Sequence, residues 1–490
     1  MKDFILTDFI NFHECIGQYK IPFIRSSGAV KIKEDDKTVW VAVSESREIR
    51  TKELLENYHA PKKLEIIKVS DKDFSEFCGT VLEQNSEHIM EKSQSGSSFL
   101  LEDFSASAPV VAILNAVFLE AIRKKASDIH IEPTLDYIAV RFRLDGVLHT
   151  VRKLDKNLAA GLSSRIKVMA DLNIMETRLP QDGRLQVSVE RTTLDFRVSV
   201  IPVALGESIV LRLFNVDNSI AKLDVLGLND SHVRMLKEHS RLPNGLILVT
   251  GPTGSGKTTT LHSMIREMDA ASLKIITIED PVERVLDGIN QIQIQDDIEL
   301  SFDTMLRRVL RQDPNVIMVG EIRDTVTAEL ALRSALTGHL ILSTLHTNDS
   351  VSAITRLENM GLQRYLIAAV LRSVLAQRLV RRVCCFCAKE AALPVHLKRA
   401  IKTYGIEKPR HVVACGCEKC NFTGYSGRVA VSELLNVEDE IADMIGCGAS
   451  VHEVYACAEQ KGMITLKEDA LRKVCAGITT YAEVKREVLI

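Results

Sequence analysis

The sequence contains no run of about 18 apolar residues, so no segment is expected to cross a bilayer. Its start, MKDFILTDFINFHEC, lacks an apolar stretch closed by small residues, so no export signal is expected. A chain without such a signal is expected in the reducing cytosol, which argues against disulfides among its eleven cysteines. One-sided charge is also missing: 62 basic against 65 acidic residues leave a net charge of -3. Without a basic field, nucleic acid is not expected as the main partner. Aromatics are scarce at 5%, and no internal repeat is evident. What is present, 46% hydrophobic and 26% charged residues over 490 positions, suits a soluble globular chain too long for one core. That length predicts between about two and four domains.

The polar, serine-rich stretch Ser86–Ser98 reads as a linker, placed at 86–105. Before it, residues 1–85 form a small α+β candidate, with a β-branched strand at Thr38–Val43 and a short helix at Thr51–Tyr58. No chemistry-bearing motif falls there, so it reads as a docking module. After the linker, Ala108–Ala126 has helical spacing and Ile129–Glu132 reads as a strand. Tyr137–Arg143 and Val147–Val151 flank Asp145-Gly146, a strong hairpin signal. A helix at Asn157–Met169 and strands at Leu185–Val189, Leu194–Val200 and Ser208–Phe214 complete an α+β domain over 106–222. From 223 onward the pattern changes. Leu246–Thr250, Ile275–Ile278, Val316–Val319 and Leu340–Thr344 are continuous apolar runs whose spacing leaves room for helical crossovers, which predicts a mainly parallel sheet.

Gly251-Pro252-Thr253-Gly254-Ser255-Gly256-Lys257-Thr258 matches the P-loop pattern GxxxxGK[ST] in full. Small residues there let successive backbone N–H groups face phosphates, and a helix start adds its positive end. Lys257 is expected to reach the terminal phosphates and Thr258 to offer a hydroxyl to Mg²⁺, with Thr259 beginning the following helix. A β run before the loop and a helical pattern over Thr259–Met268 supply the required context. Further on, Val316–Val319 leads through Gly320 to Glu321, a carboxylate at a strand end where an Asp usually follows directly. Thr277–Glu283 places Glu279, Asp280 and Glu283 just beyond another strand, where parallel sheets gather their ligands. Solvated loop acids are the alternative there. His339 and His346 flank a strand, and each alone also admits a structural role. Arg307 and Arg311 lie one turn apart on Phe302–Arg311, able to hold a phosphate or simply to form a solvated basic face.

Cys384-x-x-Cys387 and Cys417-x-x-Cys420, separated by 29 residues, form two knuckles suited to a closed tetrahedral Zn²⁺ site. Cys385 and Cys415 beside them blur the choice of ligands, and reduced thiols in a hairpin are the alternative. With four protein ligands such a metal serves folding.

The segments SDIHIEP, RFRLDG, LPQDGR, GPTGSGKTTT, TIEDPVE, LRQDPNVIMVGEIRD, TGHLILSTLHTND, AQRLVRR and CNFTGYSGR together resemble the secretion ATPases of type II secretion and type IV pilus assembly systems. The resemblance runs over 106–490. It implies an α/β architecture: a RecA-like P-loop ATPase domain over 223–490 with a zinc-binding insertion at 384–420. A PAS-like α+β domain over 106–222 precedes it and closes over the nucleotide, and the small α+β domain leads the chain. It further implies a homohexamer peripheral to the cytoplasmic face of an inner membrane that drives pilin-like subunits into a filament; residues 1–85, free of catalytic motifs and followed by a linker, are the expected contact with an inner-membrane platform or recruiting protein. By the same resemblance Arg197 and Arg212 reach the nucleotide from the second domain, and Glu283 is the Asp-box acid. Glu321 becomes the Walker-B acid and His339 and His346 the His-box residues, while Arg307, Arg311, Arg323 and Arg356 ring nucleotide and subunit contacts. The cysteine knuckles match the assembly subclass, since retraction motors usually lack them. Ile21–Ile32 resembles the first domain of type II secretion ATPases, and no RLG-type cyclic-dinucleotide motif is present. Asn315, Val326 and Ser432 depart from the family pattern, where Asp, an acid and an aromatic are usual. Two rival readings are a DNA-translocating RecA-like motor and a catalytically weak hexameric scaffold.

Overall fold

The computed structural model describes residues 29–35, 38–44, 55, 62–72, 74, 108–189, 192–214, 221–295, 298–406 and 409–488. The chain divides into two compact units, Met1–Ala106 and Ser107–Ile490. The expected linker at 86–105 and the helix at Thr51–Tyr58, Leu55 apart, lie outside the described residues.

In the first unit β1 (Ala29–Glu34), β2 (Thr38–Ser44) and β3 (Lys63–Val69) form a sheet in that order. β1 and β2 run antiparallel, β2 and β3 parallel. Val39, Val41 and Val43 of the β-branched strand are fully buried with Leu55.

The second unit begins with α1 (Ala108–Arg123), then β4 (Asp128–Pro133), β5 (Tyr137–Leu144), β6 (Val147–Asp155) and α2 (Ala159–Met169). β7 (Gln181–Val189), β8 (Thr192–Val203) and β9 (Gly206–Phe214) complete an antiparallel sheet of order β6-β5-β4-β9-β8-β7. Asp145 and Gly146 both take positive φ, 47° and 89°, as a two-residue hairpin turn requires. Phe118 and Leu114 of α1 and Leu162 and Ile166 of α2 pack on Ile129, Phe142 and Phe196 of the sheet.

The rest of this unit is a seven-stranded sheet with helices on both faces. α3 (Asp230–His239) leads to β10 (Gly245–Thr250), α4 (Lys257–Arg266), β11 (Ile275–Glu279) and β12 (Asn290–Gln293). α5 (Phe302–Val309), β13 (Val316–Val319), α6 (Thr325–Leu336) and β14 (Leu340–Leu345) follow, then α7 (Ser352–Asn359), α8 (Arg364–Val370) and β15 (Leu371–Val383). An excursion carrying β16 (Lys389–Glu390), α9 (Val395–Thr403) and β17 (Val412–Val413) separates β15 from its antiparallel partner β18 (Tyr425–Asn436). Four helices close the chain: α10 (Asp439–Cys447), α11 (Val451–Gln460), α12 (Leu466–Cys475) and α13 (Tyr481–Val488). The strand order is β12-β11-β13-β14-β10-β15-β18, parallel throughout except for β18. β10, β13 and β14 are buried along their whole length because helices cover both faces, which is why they read as unbroken apolar runs. Each such aliphatic side chain contributes roughly 1.5–3 kcal/mol.

Candidate active site and metal centre

The P-loop leaves β10 at the carboxyl end of the parallel strands, where such sheets gather ligands. Gly251, Gly254 and Gly256 have φ of 148°, 80° and 87°, a backbone that only glycine adopts without strain. Close approach enforces two of them: a Cβ on Gly251 would stand 2.4 Å from the Gln377 carbonyl, and one on Gly256 2.9 Å from the Gln377 amide. Gln377, on β15, is itself a brace. Its Nε2 donates to the Ser255 carbonyl at 2.8 Å and its Oε1 accepts from the Thr260 hydroxyl at 2.7 Å. The loop is thus held at both ends by one buried amide 117 and 122 residues away in sequence. Lys257 opens α4 and bends back to donate to the carbonyls of Gly251 at 2.8 Å and Pro252 at 3.2 Å. Burial lowers its pKa, opposed by the negative charge of Glu321. Thr258 is half-buried on the same turn, and Pro252, Thr253, Gly254 and Thr259 are exposed.

Glu321 meets this loop from β13. It pairs with the Arg323 guanidinium, and His346 Nε2 lies 3.4 Å from its other oxygen. The segment that carries it is pinned: Gly320 N–H donates to the Ile278 carbonyl at 2.8 Å, and Thr344 donates to the Gly320 carbonyl at 2.8 Å. A Cβ at Gly320, the place of the usual Asp, would stand 3.2 Å from the Ile278 carbonyl, a tight approach that the glycine relieves. Thr250, the last residue of β10, shares a 2.7 Å hydroxyl contact with Thr347 and accepts its N–H at 2.8 Å, which ties the His346 loop to the P-loop strand.

The structure separates residues that the motifs group together. His346 stands at the carboxyl end of β14 beside Glu321, but His339 precedes that strand. Six strand residues put the two histidines about 17 Å or more apart. His339 bonds the Ser334 carbonyl at 3.0 Å instead and does not join the P-loop of its own chain. Glu279, expected beyond the strand and facing phosphates, is the last residue of β11, is 2% exposed, and turns to His262, Thr277 and Gln291. Asp280 and Glu283 are exposed on the loop that follows. The helix expected over Phe302–Arg311 stops at Val309, so Arg307 lies on α5 and Arg311 beyond it, both exposed, as is Arg356. Asn315 stands at the opposite, amino end of β13, where its side chain accepts from Lys274 N–H at 2.8 Å, so the missing carboxylate lies remote from the site. Val326 is exposed on α6. Ser432 is fully buried with its hydroxyl 2.9 Å from His232 Nδ1.

In the antiparallel sheet, the ladder sets Arg184 opposite Arg197, Arg197 opposite Arg212, Arg212 opposite Asp128, and Asp128 opposite Arg143. Directly opposed residues share a face, so four arginines from four strands line one row around a buried aspartate. Asp128 binds Arg212 Nε at 3.0 Å and Arg143 Nε at 3.4 Å. Arg143 and Arg184 sit in quoted motifs yet carried no assigned role. Strand register, which motif matching does not supply, is what would have found them. The β5–β6 turn reaches the seven-stranded sheet, where Asp145 accepts the Gly427 N–H at 2.9 Å.

The thiols of Cys384, Cys387, Cys417 and Cys420 all lie within 4.8 Å of one another. Sulfur–sulfur distances of 3.9, 3.9 and 3.7 Å match the edge of about 3.8 Å in a tetrahedron with metal–sulfur bonds near 2.3 Å. Burial alone would raise the Cys420 thiol, but the N–H groups of Cys417 and Gly424, both 3.2 Å from its sulfur, bring it down to about 7. Cys385 and Cys415 are exposed outside the cluster, which resolves the ligand set.

The sequence family described as type II/IV secretion system protein matches residues 103–486, and the chain belongs to that family. It is an ATPase of this class. It is 45% identical over 386 residues to the type II secretion system protein HxcR of Pseudomonas aeruginosa, covering 79% of each chain. Identity to the type IV pilus assembly ATPase PilB of Myxococcus xanthus is 42% over 445 residues, 89% of this chain and 76% of that one. Among solved structures, the ADP-bound pilus retraction motor PilT superposes with a TM-score of 0.51 at 27% identity, over 76% of this chain and 96% of that one. The Legionella pneumophila ATPase DotB, at 23% identity and a TM-score of 0.56, shares the fold over 76% of this chain and 95% of its own.

Proposed function

We propose that this ATPase hydrolyses Mg²⁺-ATP at the P-loop and uses the cycle to drive pilin-like subunits into a filament. The observation that carries the reading is the meeting of Lys257, Glu321 and His346 at the carboxyl ends of β10, β13 and β14. Lys257 exchanges two loop carbonyls for phosphate oxygens, which as charged acceptors bind an ammonium more strongly. The Thr258 hydroxyl would hold Mg²⁺, whose charge would neutralise the terminal phosphates, whereas Thr260 is already engaged by Gln377. Glu321, steadied by Arg323 and His346, and Glu283 on its exposed loop orient the water that attacks the terminal phosphorus as the bond to ADP breaks. Arg197 and Arg212, from the sheet domain, neutralise charge developing on the transferred group. The tetracysteine site holds structural Zn²⁺, which supports an assembly rather than a retraction motor.

The working form is a homohexamer on the cytoplasmic face of an inner membrane, recruited to a membrane platform by residues 1–85. Among the described residues no helix is long and apolar enough to cross a membrane. An arginine row on a separate sheet suits a site completed by a neighbour, so subunit mixing tests the reading. Arg197→Ala and Lys257→Ala chains, each inactive alone, should recover partial ATPase activity together, and specific activity should fall on dilution. Mixtures without recovery and activity flat across dilution would refute the shared site.

A further inference from the structure

Glu283 sits in a loop without regular structure between β11 and β12, so something else must fix its position. Two side chains of β12 grip the backbone on either side of it. Gln293 accepts the Val282 N–H at 3.3 Å, while Gln291 donates to the Arg284 carbonyl at 2.9 Å and accepts from Leu286 N–H. The second N–H of Gln291 goes to Glu279 Oε1 at 2.9 Å, so both of its donors are used. Glu279 is 2% exposed and also accepts from the Thr277 hydroxyl at 2.6 Å. Its other oxygen lies 3.0 Å from Nε2 of His262, a residue 3% exposed on α4, the helix that Lys257 opens. A carboxylate can only accept, so His262 Nε2 is the donor in this bond. One unbroken chain of hydrogen bonds therefore runs from the P-loop helix through His262, Glu279 and Gln291 to the backbone flanking Glu283.

We infer that His262, Glu279 and Gln291 are positioning residues, which set the Glu283 carboxylate against the phosphates held by the P-loop helix. The inference rests on the reading that Glu283 orients the attacking water. Glu279 is an acid within a quoted motif, but its burial and its three donors suit a strut, not a phosphate contact. A displacement of about 1 Å at a water-orienting group can cost up to about 10²-fold in rate. Ground-state binding of nucleotide, set by the loop amides and Lys257, does not pass through this chain of bonds.

The test uses the full-length protein, with steady-state kcat and KM for ATP, affinity for a fluorescent N-methylanthraniloyl-ADP, and single-turnover rates. His262→Leu and Gln291→Leu should each lower kcat by roughly 10- to 100-fold, with KM and ADP-analogue affinity within about threefold of wild type. His262→Gln, whose amide reaches about where Nε2 stands, should restore most of the rate. In a Glu283→Gln background neither change should lower the residual rate by more than about twofold, because the network acts through Glu283. Should His262→Leu melt at the assay temperature, Gln291→Leu and Gln293→Leu on the partly exposed β12 carry the same comparison. Wild-type turnover by Glu283→Gln would overturn the role given to Glu283 itself. An inactive Glu283→Gln beside unimpaired His262→Leu and Gln291→Leu, or beside a full further loss in the double variants, would overturn the positioning inference alone.

Discussion

Replacing Cys417 by Ser should unfold the knuckle region locally while the ATPase sheet stays folded. The cluster closes the chain from Cys387 to Cys417, with 29 residues between the knuckles. Treated as a cross-link over about 30 residues, that closure is worth about 3.6 kcal/mol of chain entropy, equivalent to roughly 400-fold in an opening equilibrium. Besides the cluster, Leu397 and Val412 are fully or nearly buried, Leu393, Ile401 and Tyr404 pack partly on the core that holds Val380, Leu471 and Val474, and Arg410 N–H donates to the Cys475 carbonyl at 2.7 Å. The β15–β18 ladder below it, paired from Ser373 to Arg381, does not depend on the metal. Hydrogen exchange should therefore speed by two to three orders of magnitude at the amides of Cys387, Cys417 and Gly424 and change little in β10 or β13. Metal analysis should fall from about one zinc per wild-type chain to a small fraction. Unchanged protection at those amides in metal-free Cys417→Ser protein would refute the reasoning.

The remaining predictions address other elements. His232 is buried and its pKa is pushed down to about 4 by that burial, below its unfolded value of about 6.5. The unfolded chain therefore binds the proton first, and stability, complete above about pH 6.5, should fall by about 1.4 kcal/mol per unit towards pH 4. Chemical denaturation at stepped pH should show this slope, and His232→Gln should flatten it; an unchanged slope would contradict the assignment. Gln377→Leu strands the Ser255 carbonyl at about 1–3 kcal/mol and leaves the Thr260 hydroxyl only its 3.3 Å bond to the Gly256 carbonyl. Its melting point should drop and its ADP affinity weaken at least about tenfold, both read by thermal melting with and without nucleotide. Normal ADP affinity would show that the brace does not shape the loop.

What the sequence made legible follows from which interactions are local. The P-loop and the cysteine knuckles impose their chemistry on a few adjacent residues, and both sit where the patterns put them. Strands β10, β11, β13 and β14 were readable because burial on both faces leaves unbroken apolar runs. β12, sequence NQIQ, was not, since an edge strand whose glutamines bond a loop carries no apolar signature. β15 and β18 were hidden for a related reason, as β15 carries arginines at Arg372, Arg378, Arg381 and Arg382. Gln377 and His262 act on partners 117 and 17 residues away, a distance at which spacing is silent. The separation of His339 from His346 was readable in principle, because a six-residue strand between them fixes their distance.

The central claim is that Lys257 holds ATP while Glu321 readies the water that cleaves it. Radiolabelled ATP should be followed on purified wild-type, Glu321→Gln and Lys257→Ala proteins, separating bound ATP from bound ADP and released phosphate. The account predicts that Glu321→Gln retains intact ATP and releases almost no phosphate, that Lys257→Ala retains neither nucleotide, and that wild type turns over. Phosphate release from Glu321→Gln at the wild-type rate would contradict it.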